Sequence, residues 1–177
     1  MKQTMCVILV VAAITMPAAW ADKDKECPMP TVKNSAELEQ MAALAGTWTG
    51  TAKHADGKEE LVTVQYRVTS GGAAVEETLF PDTPHEMVSM YHDQGGKLAM
   101  THYCMLGNQP QLELTSAARG RLALESSAQT RAVLAGQMHM SSLVIERPAN
   151  GRLVETWAGV DANGQTADST VFTLNKR

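Results

Sequence analysis

Turn-forming residues recur along this chain at nearly even spacing, and that punctuation limits the possible folds more than any other feature. After Gly46 the signals fall at Asp56-Gly57, Gly71-Gly72, Pro81-Asp82-Thr83-Pro84, Gly95-Gly96, Gly107-Asn108-Gln109-Pro110, Gly120, Asn150-Gly151 and Asn163-Gly164. Asp-Gly, Asn-Gly and Gly-Gly supply the positive φ that tight hairpins demand. Between them lie short runs, several of which alternate. Val62, Val64, Tyr66 and Val68 fall on one side against Leu61, Thr63, Gln65 and Arg67, and Leu143 and Ile145 alternate with Ser142, Val144 and Glu146. Short alternating runs at this spacing predict an antiparallel sandwich or barrel, and closure into a barrel removes exposed edges. Ten strands are expected, over about residues 46–54, 60–69, 73–80, 86–92, 97–105, 110–116, 120–126, 141–147, 151–159 and 167–175. The expected fold class is therefore all-β, a ten-stranded antiparallel barrel with a short N-terminal helix. Asn34 opens that helix with capping-box spacing to Glu37, Leu38, Met41, Ala42 and Ala45 mark one face, and Gly46 stops it. Residues 127–140 lack a β-period and read as a longer, partly helical connection.

The first 21 residues follow a different grammar. Lys2 gives a short positive start, Cys6 to Ala13 is apolar, Pro17 breaks the run, and Ala19-Trp20-Ala21 forms an A-x-A site before Asp22. This is the pattern of a secretory signal peptide, and the apolar run is well short of the ~20 residues that span a bilayer. An uncleaved anchor is the alternative. The expected organisation is a leader over 1–21, a flexible segment over 22–33 and a barrel domain over 34–177. A periplasmic or secreted monomer without stable membrane insertion follows. Loss of Cys6 with the leader leaves Cys27 and Cys104. In an oxidising compartment these either pair or leave Cys104 as a buried thiol. A net charge of −4 with no basic stripe argues against nucleic-acid binding.

Period-2 geometry then sorts residues by face. Leu98, Met100, His102 and Cys104 share one side, as do Val75, Glu77 and Leu79, and again Leu153, Glu155 and Trp157. Each apolar set points inward and carries a polar group with it. A buried carboxylate needs a partner, and His102 is the expected one for Glu77 and Glu155, with Tyr91 joining them. His139, between Met138 and Met140, is expected to close one mouth. Asn108 and Gln109 sit at a rim, where they contact a ligand or cap loop backbone. A polar patch in an apolar lumen is the usual composition of a small-molecule site. The leading expectation is a non-enzymatic binder of a small apolar or amphipathic molecule. Glu77, Tyr91, His102 and Glu155 would orient its polar end, and Met100 and Trp157 would touch its body. No catalytic residue, metal or cofactor is expected. One alternative is metal- or thiol-dependent chemistry at His102 and Cys104, with His92 and His139 as further ligand types. No C-x-x-C, H-E-x-x-H or G-x-S-x-G pattern accompanies it. A ligand-free structural barrel is another.

Leu44-Ala45-Gly46-Thr47-Trp48 after a short helix resembles the opening of lipocalin-like (calycin) barrels, in which the Trp of G-x-W packs across the barrel base. Glu86 to His92, Thr101-His102-Tyr103-Cys104, Gly107 to Pro110, Met138-His139-Met140 and Glu155-Thr156-Trp157 extend the likeness. Together they resemble a group of small secreted bacterial lipocalin-like proteins, over about Leu44 to Leu174. The resemblance implies a barrel and export, and it brings no activity and no catalytic residues. Gln137 stands where that group would have a histidine, so no paired-histidine role is carried over. Ten strands suit the fatty-acid-binding or nitrobindin-like branch. The haem signature of nitrobindin is not present, so haem is not implied.

Overall fold

The computed structural model describes residues 33–148 and 150–177. The leader, most of the 22–33 segment and any Cys27–Cys104 pairing therefore lie outside the described residues. Within them, ten antiparallel strands close on themselves. In chain order these are β1 (Gly46–His54), β2 (Glu59–Thr69), β3 (Ala74–Leu79), β4 (Met87–Gln94), β5 (Lys97–Tyr103), β6 (Gln111–Ala118), β7 (Arg121–Ser126), β8 (His139–Glu146), β9 (Leu153–Val160) and β10 (Thr166–Lys176). Every strand pairs with its sequence neighbours, and β1 pairs with β10, from Trp48 opposite Lys176 to His54 opposite Thr170, to complete the ring. Hairpins alone build this topology. The repeated Gly-containing turns make it possible, with φ of 86° at Gly57, 81° at Gly96 and 75° at Gly164.

One end of the barrel is plugged by helix α1 (Ala36–Ala42). Its N-cap is Ser35, not the expected Asn34: Leu38 N donates to Ser35 Oγ at 3.1 Å. The reason is tertiary. Asp93 at the end of β4 accepts from both Ser35 N (2.6 Å) and Ser35 Oγ (2.7 Å), fixing which residue starts the helix. Leu38 and Met41 then bury their side chains with Leu44 and Trp48. Trp48 Nε1 donates to Leu44 O at 2.8 Å, and Lys176 lies over its ring. A second helix, α2 (Ala128–Val133), occupies the connection between β7 and β8, with Ser127 as its cap.

The core is the barrel interior. Val62, Val75, Leu98, Met100, Leu112, Leu124, Leu143, Leu153 and Leu174 fill it from the inward faces of eight strands. Amid these apolar groups lie seven polar or aromatic side chains that determine what the barrel can do.

Candidate functional site

A belt of polar side chains crosses the interior at one level, and strand register creates it. Tyr66 on β2 stands opposite Glu77 on β3, Glu77 opposite Ser89 on β4, and Ser89 opposite His102 on β5. Residues directly opposite across an antiparallel pair have adjacent Cβ atoms, so three consecutive pairings join these four residues in a continuous row. Glu155 and Trp157 enter from β9, with Glu155 reaching Tyr66. Glu77, Ser89, Tyr91 and Glu155 are wholly buried, and Tyr66, His102 and Trp157 nearly so.

Burying two carboxyl groups without a cation is costly, so the hydrogen bonds must account for their charge. Glu77 Oε2 accepts from Tyr91 Oη at 2.8 Å, and Glu77 Oε1 accepts from Tyr66 Oη at 2.8 Å. Tyr66 Oη also lies 2.6 Å from Glu155 Oε1. A phenol has one hydrogen. If Tyr66 gives it to Glu77, the short contact to Glu155 requires a proton from Glu155. Glu155 is thus a neutral acid that donates to Tyr66 Oη, and its other oxygen accepts from Trp157 Nε1 at 3.2 Å. The acidities agree. Desolvation, and then the charge of Glu77, hold the Glu155 carboxyl well above the ordinary carboxylate range. Desolvation also holds Glu77 above the ordinary range, but less far than Glu155, because the phenol donors Tyr91 and Tyr66 oppose it. Both tyrosines are pushed well above their usual range by burial first, and so stay protonated. The belt holds one carboxylate, one carboxylic acid and two phenols.

His102 does not partner either carboxyl group, contrary to the expectation from sequence. Its Nδ1 lies 3.0 Å from Ser89 Oγ, and its ring packs on Trp157 with centroids 5.2 Å apart. Burial lowers its pKa to about 4, so it is neutral near pH 7. The phenols of Tyr66 and Tyr91 fill the role assigned to it. Tyr66 was recognisable as inward-facing from its alternation with Val62 and Val64. Only the β2–β3 register shows that it faces Glu77.

Above the belt, at the end opposite α1, a cavity of about 380 Å³ opens. All strands except β6 and β7, with adjoining loop residues, contribute to its wall. Leu79, Phe80, Met87, Met105, Met140 and Phe172 make it apolar, and His102 and Trp157 lie along it next to the belt. His54, Glu60, His85 and Thr170 complete it. Two of these occupy each other, since His54 Nε2 lies 3.1 Å from Glu60 Oε1. Phe80 holds an unusual backbone, φ 52°, and packs edge-on to Phe172 at 5.9 Å. A larger concavity of about 1050 Å³ lies beside α1 and the β6–β7 turn, outside the barrel and away from the belt.

The ten residues singled out from sequence thus separate. His102 and Trp157 line the cavity. Glu77, Tyr91, Glu155 and Met100 are wholly buried and do not line it. Cys104 leaves the shared face: β5 ends at Tyr103, and the chain turns so that Cys104 N donates to Asn108 O at 3.1 Å. Asn108 Nδ2 donates to Met138 O, tying that turn to the approach to β8, and exposed Gln109 donates to Gly107 O. His139 is turned away from the mouth. Ser141 forms a bulge against β9 between the pairs Met140–Gly159 and Ser142–Ala158. The bulge sends Met140 into the cavity and His139 towards α2, where its Nδ1 lies 2.8 Å from Gln137 O. Among the described residues no three His, Cys, Asp or Glu side chains are grouped to hold a metal ion.

No protein-family model matches this chain, and no curated protein matches it. Among solved structures, one similar chain is a redesigned β-barrel, 12% identical over 77% of this chain and 94% of that one, with a TM-score of 0.34.

Proposed function

We propose that this protein is an exported, non-enzymatic lipocalin-like barrel that holds a small apolar or amphipathic molecule at its open end. The observation that carries the reading is the division of the lumen. The α1 end and middle are filled with side chains, whereas about 380 Å³ at the other end is walled mainly by apolar groups, with the His102 imidazole next to the belt and His54, Glu60, His85 and Thr170 completing the wall. That volume and that make-up suit a small ligand. Glu77, Tyr91 and Glu155 act on the ligand indirectly in this reading, by fixing Ser89, His102 and Trp157, and Met100 packs behind them. Export rests on the leader pattern at residues 1–21, and release before Asp22 should appear in the intact mass.

A ligand-free structural barrel is the second reading, favoured by the complete internal pairing of Glu77 and Glu155. Native mass spectrometry of protein purified from its own host separates the two. The expected result is a retained small molecule that dissociates on collisional activation. An apo mass throughout, together with no uptake of any added apolar probe, would leave the structural reading standing.

A further inference from the structure

On the reading that the mouth cavity binds a small molecule, the chemistry of its wall narrows what that molecule carries. No lysine or arginine lines the cavity, and the one carboxylate on its wall, Glu60, is held by His54. Trp157 Nε1 is committed to Glu155. Thr170 Oγ1 lies 3.2 Å from His54 Nδ1, and His85 is an exposed residue of the wall, which leaves His102 as the remaining polar group next to the belt; its Nε2 has no partner among the described residues. It is also not among the atoms shut off from solvent without one. Whether Nε2 donates or accepts depends on the tautomer, and Ser89 decides that. Ser89 stands in register between Glu77 and His102. In the field of the Glu77 carboxylate its O–H dipole turns the hydrogen towards Glu77, leaving the oxygen to accept from His102 Nδ1–H at 3.0 Å. Nε2 is then a bare lone pair.

We infer that the cavity selects a neutral apolar molecule bearing a hydroxyl group, an aliphatic alcohol or a phenol, whose O–H donates to His102 Nε2. A carboxylate presents only acceptors there, with the Glu77 charge behind the imidazole and no lysine or arginine on the wall to compensate. A ketone presents an acceptor to an acceptor and leaves both unpaired.

The test uses three probes of one chain length, 1-octanol, 2-octanone and octanoate, titrated calorimetrically into the whole protein near pH 8. Octanol should bind roughly 5-fold tighter than octanone, as one hydrogen bond allows, and more than about 10-fold tighter than octanoate. In His102→Phe, which keeps the packing on Trp157 and removes the lone pair, octanol and octanone should come within about 2-fold. Independently, the ¹⁵N spectrum of the wild-type imidazoles should show His102 protonated at Nδ1, and this needs no variant. Octanoate binding as tightly as octanol, an octanol preference that survives His102→Phe, or an Nε2–H tautomer would each overturn the inference while leaving the cavity a binding site. Failure of all three probes to bind would overturn the binding reading and this inference with it.

Discussion

At the scale of single residues, the belt is a problem in placing protons, and the solution makes the two glutamates unequal. Glu77 collects two phenol donors, whereas Glu155 gives a hydrogen to Tyr66 and takes one from Trp157. An amide reproduces the second pattern and not the first. Glu155→Gln can donate to Tyr66 Oη and accept from Trp157 Nε1, and should cost under about 1 kcal/mol in denaturant unfolding. Glu77→Gln loses a charge-assisted pair of bonds and should cost roughly 2–3 kcal/mol. Equal costs would mean the proton sits elsewhere. The pH dependence follows with its sign. Glu155 binds its proton more tightly folded than unfolded, so the stability this contributes is complete below the unfolded carboxylate range and is lost as pH rises through the folded value. Glu155→Gln should therefore gain on the wild type as pH rises above the unfolded carboxylate range. His102 acts oppositely. Its folded pKa of about 4 lies below the unfolded 6.5, so the stability it contributes is present above pH 6.5 and is lost as pH falls towards 4. His102→Phe should flatten the acid side of the wild-type profile. A steeper acid loss in that variant would contradict a neutral, buried imidazole.

At the scale of elements, the strands and their order were legible because turn chemistry and period-2 alternation are local. All ten expected strands form, with ends displaced by no more than two residues. What failed to show was whatever depends on another element. Ser35 rather than Asn34 caps α1 because Asp93 on β4 holds it. Cys104 departs from the inward face because Asn108 closes a turn on it. His139 lost its inward side to the bulge at Ser141, since one extra residue reverses every face beyond it. The belt itself is a property of register, which a single strand does not encode, so Tyr66 and Ser89 were not singled out. Closure carries its own signature at Gly50. A Cβ there would stand 1.9 Å from Thr173 O on β10, where β1 and β10 join the ends of the barrel. Glycine in a strand marks such close backbone approach. Gly50→Ala should therefore pry apart the closing seam and cost more than about 2 kcal/mol, with faster hydrogen exchange along β1 and β10 than elsewhere. A loss within about 0.5 kcal/mol would show that the seam can shift without penalty.

At the scale of the whole molecule, the barrel is polarised along its axis. α1, Leu44 and Trp48 seal one end, the belt divides the interior, and the cavity lies at the other. Folding free energy is concentrated where side chains interlock, and ligand capacity where they do not. The two can therefore be changed separately. Met140 projects into the cavity from β8 and is only partly buried, so Met140→Trp should fill empty space. Its melting temperature should hold or rise, while affinity for 1-octanol falls at least about 10-fold. A residue of the same bulk at the sealed end has no space to enter. Ala42, packed against the core from α1, becomes overpacked in Ala42→Trp, which should cost about 1–3 kcal/mol. Octanol affinity of the folded protein should stay within about 2-fold. Bound octanol should also raise the melting temperature of Ala42→Trp as it does that of the wild type, because a ligand that binds only the folded state stabilises it by mass action. Reduced binding in Ala42→Trp with retained binding in Met140→Trp would place the ligand at the α1 end and reverse the axis assigned to the barrel.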